Sequence, residues 1–191
     1  MTKDTRNSII STFISLAKQN PQRSSFTMNE IARQAGISRQ AIYQKHFQNY
    51  NDIIKYIHER ADQQIFQVFN DSCLRREENP IECFANFAIP LIYENRNIIR
   101  TLFITQADPG WKEFLRDIYS KWILKNIHYN KEFDFSEDDM TYVIANMIIT
   151  FIEVWIRKEN PTPPEKFKKT FLLLTTISLR DYMILQEKDS E

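Results

Sequence analysis

TMNEIARQAGISRQAIYQKHF, residues 27–47, is the part of the sequence with the most specific pattern. Thr27 and Glu30 have the spacing of a capping box, in which the threonine side chain caps the first helical turn and the glutamate reaches back. Gly36 stands where a left-handed residue can end that helix, and Ser38 can cap the next one. The stretch therefore predicts two short helices joined by a tight turn.

Two helices joined in this way form a helix-turn-helix, whose second helix enters the major groove of DNA. The small side chains of Ala32 and Ala35 allow the two helices to approach each other. Arginine pairs well with guanine and glutamine with adenine, so the outward side of the predicted helix 39–46 is suited to reading bases. The alternative is a helical hairpin whose basic side chains merely face solvent, and the combination of signals disfavours it.

Charge is distributed unevenly along the chain. The 191 residues carry 25 basic and 25 acidic side chains, so the formal net charge is zero. Residues 1–50 hold seven Lys and Arg against two Asp and Glu, 7 − 2 = +5, which leaves −5 for the remainder. A basic N-terminal part on an acidic body is expected of a protein that meets a polyanion at that part.

The sequence predicts an all-α fold. It contains only two glycines, Gly36 and Gly110, which excludes Gly-rich nucleotide loops and disfavours sheet folds with tight hairpins. Apolar residues recur at helical spacing and predict a first helix ending near Pro21, followed after the helix-turn-helix by helices 51–76, 81–95, 96–105, 109–129, 140–157 and 165–186. We expect a three-helix DNA-binding head in residues 1–50 and a second helical domain in residues 51–191, about nine helices in all.

The predicted helices 140–157 and 165–186 are apolar nearly all round, which indicates that each is buried on two sides. One side would face the chain's own core and the other a second copy; a central core helix in a monomer is the alternative. The candidate interface residues are Ile144, Met147, Phe151, Trp155, Phe167, Phe171 and Leu174.

Other site classes find little support in the sequence. Cys73 and Cys83 show no metal-ligand spacing or disulfide framework, so both are expected to be reduced. The histidines His46, His58 and His128 stand apart, and we predict no catalytic residues, metal or cofactor; an enzyme is the lesser alternative. No apolar run suits a signal peptide or a membrane span, which predicts a cytoplasmic protein without membrane contact.

Residues 8–60, and above all 27–47, resemble the TetR family of transcriptional regulators. The matching elements are Glu30-Ile31-Ala32, Ala35-Gly36-Ile37-Ser38, Tyr43 and His46-Phe47. The resemblance implies a homodimeric, ligand-responsive repressor, whose last two helices form a four-helix interface and whose heads bind a palindromic double-stranded DNA operator. An activator, or a co-regulator that binds a protein partner, is the alternative.

Side-chain chemistry and this resemblance together give the expected DNA contacts. They are Thr27, Ser38, Arg39, Gln40, Ala41, Tyr43, Gln44, Lys45, His46 and Tyr50. The family commonly places a lysine where this chain has Tyr50, so a phosphate contact there depends on a hydroxyl and on helix-start amides.

The resemblance also implies that residues 51–191 form an effector-binding and dimerisation domain, in which a small-molecule effector binds among the helices from residue 81 onward and shifts the fourth helix. The candidate lining residues are aromatic: Phe84, Phe87, Tyr93, Phe103, Trp111, Tyr119 and Trp122. Aromatic side chains at helical spacing are more often plain core, and the polar candidates Asn86, Gln106 and Asn146 fit a surface equally well. We expect a hydrophobic or aromatic effector.

Overall fold

A computed structural model describes residues 2–67, 79–127 and 134–177 of the chain. In these ranges all regular secondary structure is helical, which confirms the all-α prediction, and nine helices are present. They are α1 Thr2–Gln19, α2 Met28–Ala35, α3 Arg39–Lys45, α4 Tyr50–Gln67, α5 (Pro80–Cys83, Phe84–Ala88 and Ile89–Glu94 in continuous succession), α6 Arg96–Ile104, α7 Trp111–Asn126, α8 Glu137–Ile156 and α9 Pro164–Leu174.

The local signals of the head form as predicted. The Glu30 backbone amide donates to Thr27 Oγ1 at 3.2 Å, and the Thr27 amide donates to Glu30 Oε2 at 2.8 Å, which completes the capping box. Gly36 ends α2 with φ of +64°, in the left-handed region that favours glycine. Ser38 Oγ accepts from the Ala41 amide at 3.1 Å and so caps α3. These contacts fix the angle between α2 and α3.

Two helix boundaries differ from the prediction for local reasons. In α5, the Ile89 amide bonds the carbonyl of Phe84, five residues back, so Phe84–Ala88 is a π-helical turn. Pro90 follows at once, and its missing N–H and bulky ring disfavour a regular α-helical ladder there. The second boundary is the end of α9. The chain turns after Leu174, where the hydroxyls of Thr175 and Thr176 donate hydrogen bonds to carbonyls of α9.

Residues 178–191 lie outside the described residues, and so does most of the predicted extension of α9 to residue 186. The helix α8 begins three residues earlier than predicted, because Ser136 and Asp139 form a second capping box, with Ser136 Oγ accepting from the Asp139 amide at 3.1 Å.

By length and composition alone, α8 is apolar enough to cross a membrane. Core helices of soluble proteins pass the same test, and α8 packs against α6 and α7. Its inner side is fully or nearly fully buried at Thr141, Ala145, Ile148, Ile149, Ile152, Trp155 and Ile156. We interpret α8 as a core helix.

The prediction that both cysteines are reduced is wrong. Cys83, fully buried in α5, is disulfide-bonded. The chain's only other cysteine, Cys73, lies outside the described residues. Two cysteines ten positions apart carry no spacing signal for a bond, because pairing depends on how the tertiary fold brings the side chains together.

The buried side chains of the head and of the following helices form one contiguous hydrophobic core. Ile9, Phe13, Ile31 and Ile42 are fully buried within the head, and Ile53 at the start of α4 joins it to the rest. The division into two domains at residue 50 therefore stays a prediction.

Candidate DNA-binding helix and effector cavity

The helix α3 presents a polar side to solvent and an apolar side to the core. Ile42 is fully buried and anchors the helix, and Ala41 is half-buried. Arg39, Gln40, Gln44 and Lys45 are exposed. The cap at Ser38 and the turn at Gly36 orient α3, so the expected base-reading side chains all lie on its accessible surface.

The positive charge on α3 has no acidic partner in the described ranges. The Arg39 guanidinium lies 5.0 Å from the ring centroid of Tyr43 and donates to the Tyr43 hydroxyl at 3.2 Å. No carboxylate lies within 4 Å of Arg39 or Lys45 among the described residues. Both cations are therefore available to a phosphate or a base edge.

Thr27 is exposed, but its hydroxyl is already engaged in the cap of α2, where it donates to Glu30 Oε2 at 2.9 Å. The same carboxylate forms a two-pronged ion pair with Arg23, at 2.9 and 3.1 Å. Hydrogen bonds from Arg23 and Thr27 lower the pKa of Glu30 to about 2. Glu30 thus ties the loop before α2 to the first turn of that helix.

His46, at the end of α3, is half-buried. Burial and the positive charges of Arg6 and Lys45 lower its pKa below the ordinary value. This favours the neutral imidazole, whose contact with phosphate would depend on its ring N–H.

Tyr50 does not fit the expected phosphate contact. Its hydroxyl donates to the carbonyl oxygen of Ala107, and its ring packs edge-on against Phe13 at 5.6 Å between centroids. Burial and the nearby charge of Asp108 raise the pKa of Tyr50. Because the hydroxyl is directed to the loop before α7, we remove Tyr50 from the DNA-contact set.

That loop, residues 105–110, also contacts the turn after α1 and helix α4, and it is called the linker loop below. The Gln106 amide donates to the Pro21 carbonyl, in the turn after α1, at 2.7 Å. His58 Nε2 of α4 lies 2.5 Å from Asp108 Oδ2. No sequence pattern indicates these contacts, because they join residues about 50 or more positions apart and require the packed tertiary structure.

A cavity of about 70 Å³ lies beside the linker loop, between α4, α5, α6 and α7. Three of the predicted aromatic residues, Phe103, Trp111 and Tyr119, line it. The other lining residues are Ile10, Ile57, Arg60, Ala61, Gln64, Leu91, Ile92, Asn95, Ile98, Ile99, Leu115 and Ile152. The cavity is thus mainly apolar, with a few polar side chains.

The remaining predicted aromatic residues lie elsewhere. Phe84 and Trp122 line a second, smaller cavity of about 20 Å³. Tyr93 stacks on Trp155 at 5.9 Å, and Phe87 packs against the core. Each of these aromatic residues fits a helical spacing equally well in a core, which is why the sequence could not separate them from the cavity lining.

The polar lining residues differ from those suggested by the sequence. Asn86 and Gln106 are exposed, and Asn146 accepts from Arg116 Nε at 3.3 Å. The cavity instead takes Arg60 and Gln64 from α4. The sequence does contain a signal for these two residues. They lie at helical spacing on the same side of α4 as Ile57 and Ala61.

Several predicted interface residues are buried in the chain's own core. Trp155 stacks face-to-face on Phe167 at 4.0 Å, and Phe171 is fully buried against Phe84. Assigning Trp155, Phe167 and Phe171 to an interface was therefore wrong. Ile144, Phe151 and Leu174 are half-buried, and Met147 is exposed.

Large apolar side chains do remain exposed on α8. Val143, Met147 and Val154 have 42%, 44% and 53% of their surface exposed, and Tyr142 beside them 55%. We call these four residues the α8 apolar face. On α9, Leu173 is similarly exposed.

Comparison with solved structures identifies the fold. The chain is similar to a TetR transcriptional regulator from Streptococcus agalactiae (TM-score 0.61, 19% identity, 91% of this chain and 94% of that one). It is similar to NalD, the secondary repressor of the MexAB-OprM multidrug efflux pump in Pseudomonas aeruginosa (TM-score 0.61, 15% identity, 90% and 95%). It is also similar to FadR of Thermus thermophilus, a TetR family transcriptional repressor solved with lauroyl-CoA (TM-score 0.51, 16% identity, 97% and 98%).

No protein-family model matches the chain, and no curated protein matches it in sequence. At identities this low the likeness establishes the architecture, a helix-turn-helix head followed by a helical C-terminal domain, which confirms the predicted fold.

Proposed function

We propose that this chain, which has the TetR fold, is a cytoplasmic transcriptional regulator that binds double-stranded DNA through α3. The observation that carries the proposal is that Arg39, Gln40, Gln44 and Lys45 are exposed on a helix oriented by two caps and a glycine turn, with no acidic partner for Arg39 or Lys45 in the described ranges. A helix of this kind reads bases with Arg and Gln and holds phosphates with Lys. We propose no enzymatic activity.

The distribution of charge supports the same function. A formal charge of +5 in residues 1–50 attracts the phosphate backbone, whereas the −5 of the remainder keeps the body away from it. The overall electrostatic attraction is therefore directed at the head, and it orients α3 toward the groove.

We further propose a homodimer, formed through the α8 apolar face together with Leu173 of α9. A second copy that covers Val143, Met147 and Val154 would remove from water three large apolar side chains on one helix, which a monomer leaves exposed. In such a dimer the two recognition helices would meet half-sites about one helical turn apart, or a multiple of it, on a palindromic operator.

Regulation by a small molecule is the last part of the proposal. The cavity, at about 70 Å³, is small for a drug-sized molecule, so a ligand larger than a few atoms must move its walls. Those walls include Ile57 and Ala61 of α4 and Trp111, which directly follows the linker loop. A ligand that prefers the widened cavity would thus favour one position of α4 over another, and repression relieved by ligand is the mode we propose.

Fluorescence anisotropy with the intergenic DNA beside the chain's own gene tests DNA binding. We expect specific binding, and we expect Arg39→Ala to weaken it by about 1–3 kcal/mol and to relax the base preference at one position of each half-site. Lys121→Ala, which removes one exposed positive charge from α7, is the matched control and should leave specific binding unchanged. Equal binding of intergenic and unrelated DNA by the wild type would contradict the proposal.

A further inference from the structure

We propose that the cavity between α4 and α7 binds an apolar organic acid, whose carboxylate accepts hydrogen bonds from Arg60 and from the indole N–H of Trp111. A regulatory role for this binding depends on the proposed ligand response. The binding itself does not require DNA and can be tested without it. The inference deepens the expectation of a hydrophobic ligand by assigning the ligand's charge and its polar contacts.

The body of the ligand is set by the walls of the cavity. Most of the lining side chains are aliphatic or aromatic, among them Ile98, Ile99 and Phe103 on α6 and Leu115 on α7. An apolar chain or ring placed among them gains the hydrophobic contribution of every carbon that leaves water. Walls of this kind favour a ligand with a mainly apolar body.

The charge of the ligand follows from the one ionisable group that is charged at neutral pH among the lining residues. Arg60 is half-buried, and its guanidinium makes only a long contact of 3.4 Å to Asn7 Oδ1. Within the described ranges no carboxylate lies within 4 Å of it, and no acidic residue lines the cavity. A guanidinium in this position favours an anion and disfavours a cation.

Trp111 adds an independent observation. Its side chain is only 3% exposed, and its Nε1 is buried with no hydrogen-bond acceptor in reach among the described residues. A buried N–H without an acceptor is unfavourable, so a bound molecule that supplies an acceptor oxygen would gain a hydrogen bond there.

Both donors line the same cavity, Arg60 from α4 and Trp111 from the first residue of α7. Gln64, one turn further along α4, can donate as well. The amides of Gln64 and Asn95 both donate and accept, whereas Arg60 and the indole of Trp111 only donate, so the preference for a carboxylate rests on these two.

Isothermal titration of the full-length protein with sodium octanoate and with 1-octanol tests the inference. The two probes share an eight-carbon chain and differ in the anionic head. We expect octanoate to bind the wild type about tenfold more tightly than octanol, the difference that a charge-assisted hydrogen bond contributes. Arg60→Gln should reduce the affinity for octanoate to that for octanol and leave octanol binding unchanged.

Matched variants separate this effect from general damage. Lys55→Gln removes a positive charge from an exposed position of α4 that does not line the cavity, and should keep the tenfold preference. Trp111→Phe keeps an aromatic ring but loses the N–H, and should weaken octanoate about three- to tenfold. Trp122→Phe, in the neighbouring cavity, should not. If circular dichroism shows that Trp111→Phe does not fold, the inference is decided by the titrations of the wild type and of Arg60→Gln with the two probes.

Equal affinity of the wild type for both probes, no binding of octanoate, or a preference that survives Arg60→Gln would overturn the inference. Anisotropy with intergenic DNA in the absence of octanoate measures the proposed function separately. DNA binding without octanoate binding refutes only this ligand class, and octanoate binding without DNA binding refutes only the regulatory function.

Discussion

The Tyr50 hydroxyl donates a hydrogen bond to the carbonyl oxygen of Ala107, 57 positions further along the chain. This contact joins the first residue of α4 to the linker loop. The same loop bonds the Pro21 carbonyl through the Gln106 amide, and its Asp108 contacts His58 of α4. Trp111 begins α7 directly after that loop and lines the cavity. The linker loop therefore connects the head to the start of α7, which lines the cavity.

Tyr50→Phe tests the role of this contact. The change leaves the ring packed against Phe13 and removes only the hydroxyl, so the buried Ala107 carbonyl loses a partner. We expect the free energy of unfolding in urea to fall by about 1 kcal/mol. DNA affinity without ligand should change less than twofold, and the salt dependence not at all, because the hydroxyl faces the body. A flatter salt dependence with unchanged stability would restore Tyr50 as a phosphate contact.

Lys45→Ala tests the phosphate contacts of α3. Lys45 is exposed and has no acidic partner in the described ranges, so its charge is available to the DNA backbone. The variant should bind specific and unrelated DNA more weakly by similar factors, and the slope of log K against log salt should shrink by about 1 for each phosphate that is no longer neutralised. Loss of specificity without a change of slope would instead place Lys45 at a base.

Gly36→Ala measures the strain of the turn between α2 and α3. A Cβ at Gly36 would meet no atom within 4 Å, so the whole effect comes from the left-handed backbone at φ of +64°. We expect a loss of about 1–2 kcal/mol in urea unfolding. Gly110→Ala is the matched control, because Gly110 has φ of −83° and its new Cβ would lie at an ordinary 3.5 Å from Asp108 Oδ1. Equal effects of the two changes would rule out backbone strain as the cause.

The carboxylate of Glu30 gives a prediction about acid stability. Its pKa is lowered from 4.5 to about 2 in the folded protein, so its contribution to stability is full above about 4.5 and disappears as the pH falls toward 2. Glu30→Gln should therefore be less stable than the wild type at pH 6, and the difference should shrink steadily below pH 4.5. Thermal unfolding across this range measures it, with the change of the exposed Glu113→Gln as control. A difference that stays constant with pH would mean that the charge of Glu30 is not involved.

The head was predictable because its signals are local. The capping box of Thr27 and Glu30, the glycine turn and the Ser38 cap each act within four residues, and the sequence shows them directly. The cavity was only partly predictable, since Phe103 and Trp111 line it but Phe87 and Tyr93 do not, although all four fit helical spacing. Which aromatic side chain meets a void depends on how several helices cross, and periodicity within one helix carries no such information.

The same limit explains the errors at the proposed interface. The apolar pattern of α8 correctly indicated two apolar sides, but it could not tell which one faces the chain's own core. The structure places Trp155 inside, stacked on Phe167, and leaves Met147 outside. A test designed on sequence alone, with Phe171→Glu, would bury a charge in the core and unfold the chain rather than separate two subunits.

Met147→Glu is the appropriate test of the dimer. We expect the wild type to sediment as a dimer at micromolar concentration and the variant as a folded monomer, because a carboxylate in the middle of the α8 apolar face would have to be buried without a partner. Leu124→Glu is a close control: Leu124 on α7 has the same exposed fraction as Met147, 44%, but lies outside that face. It should remain dimeric. If the wild type is already monomeric, or if both variants dissociate alike, the dimer does not form through α8, and the spacing of two recognition helices on a palindrome would need another arrangement of subunits.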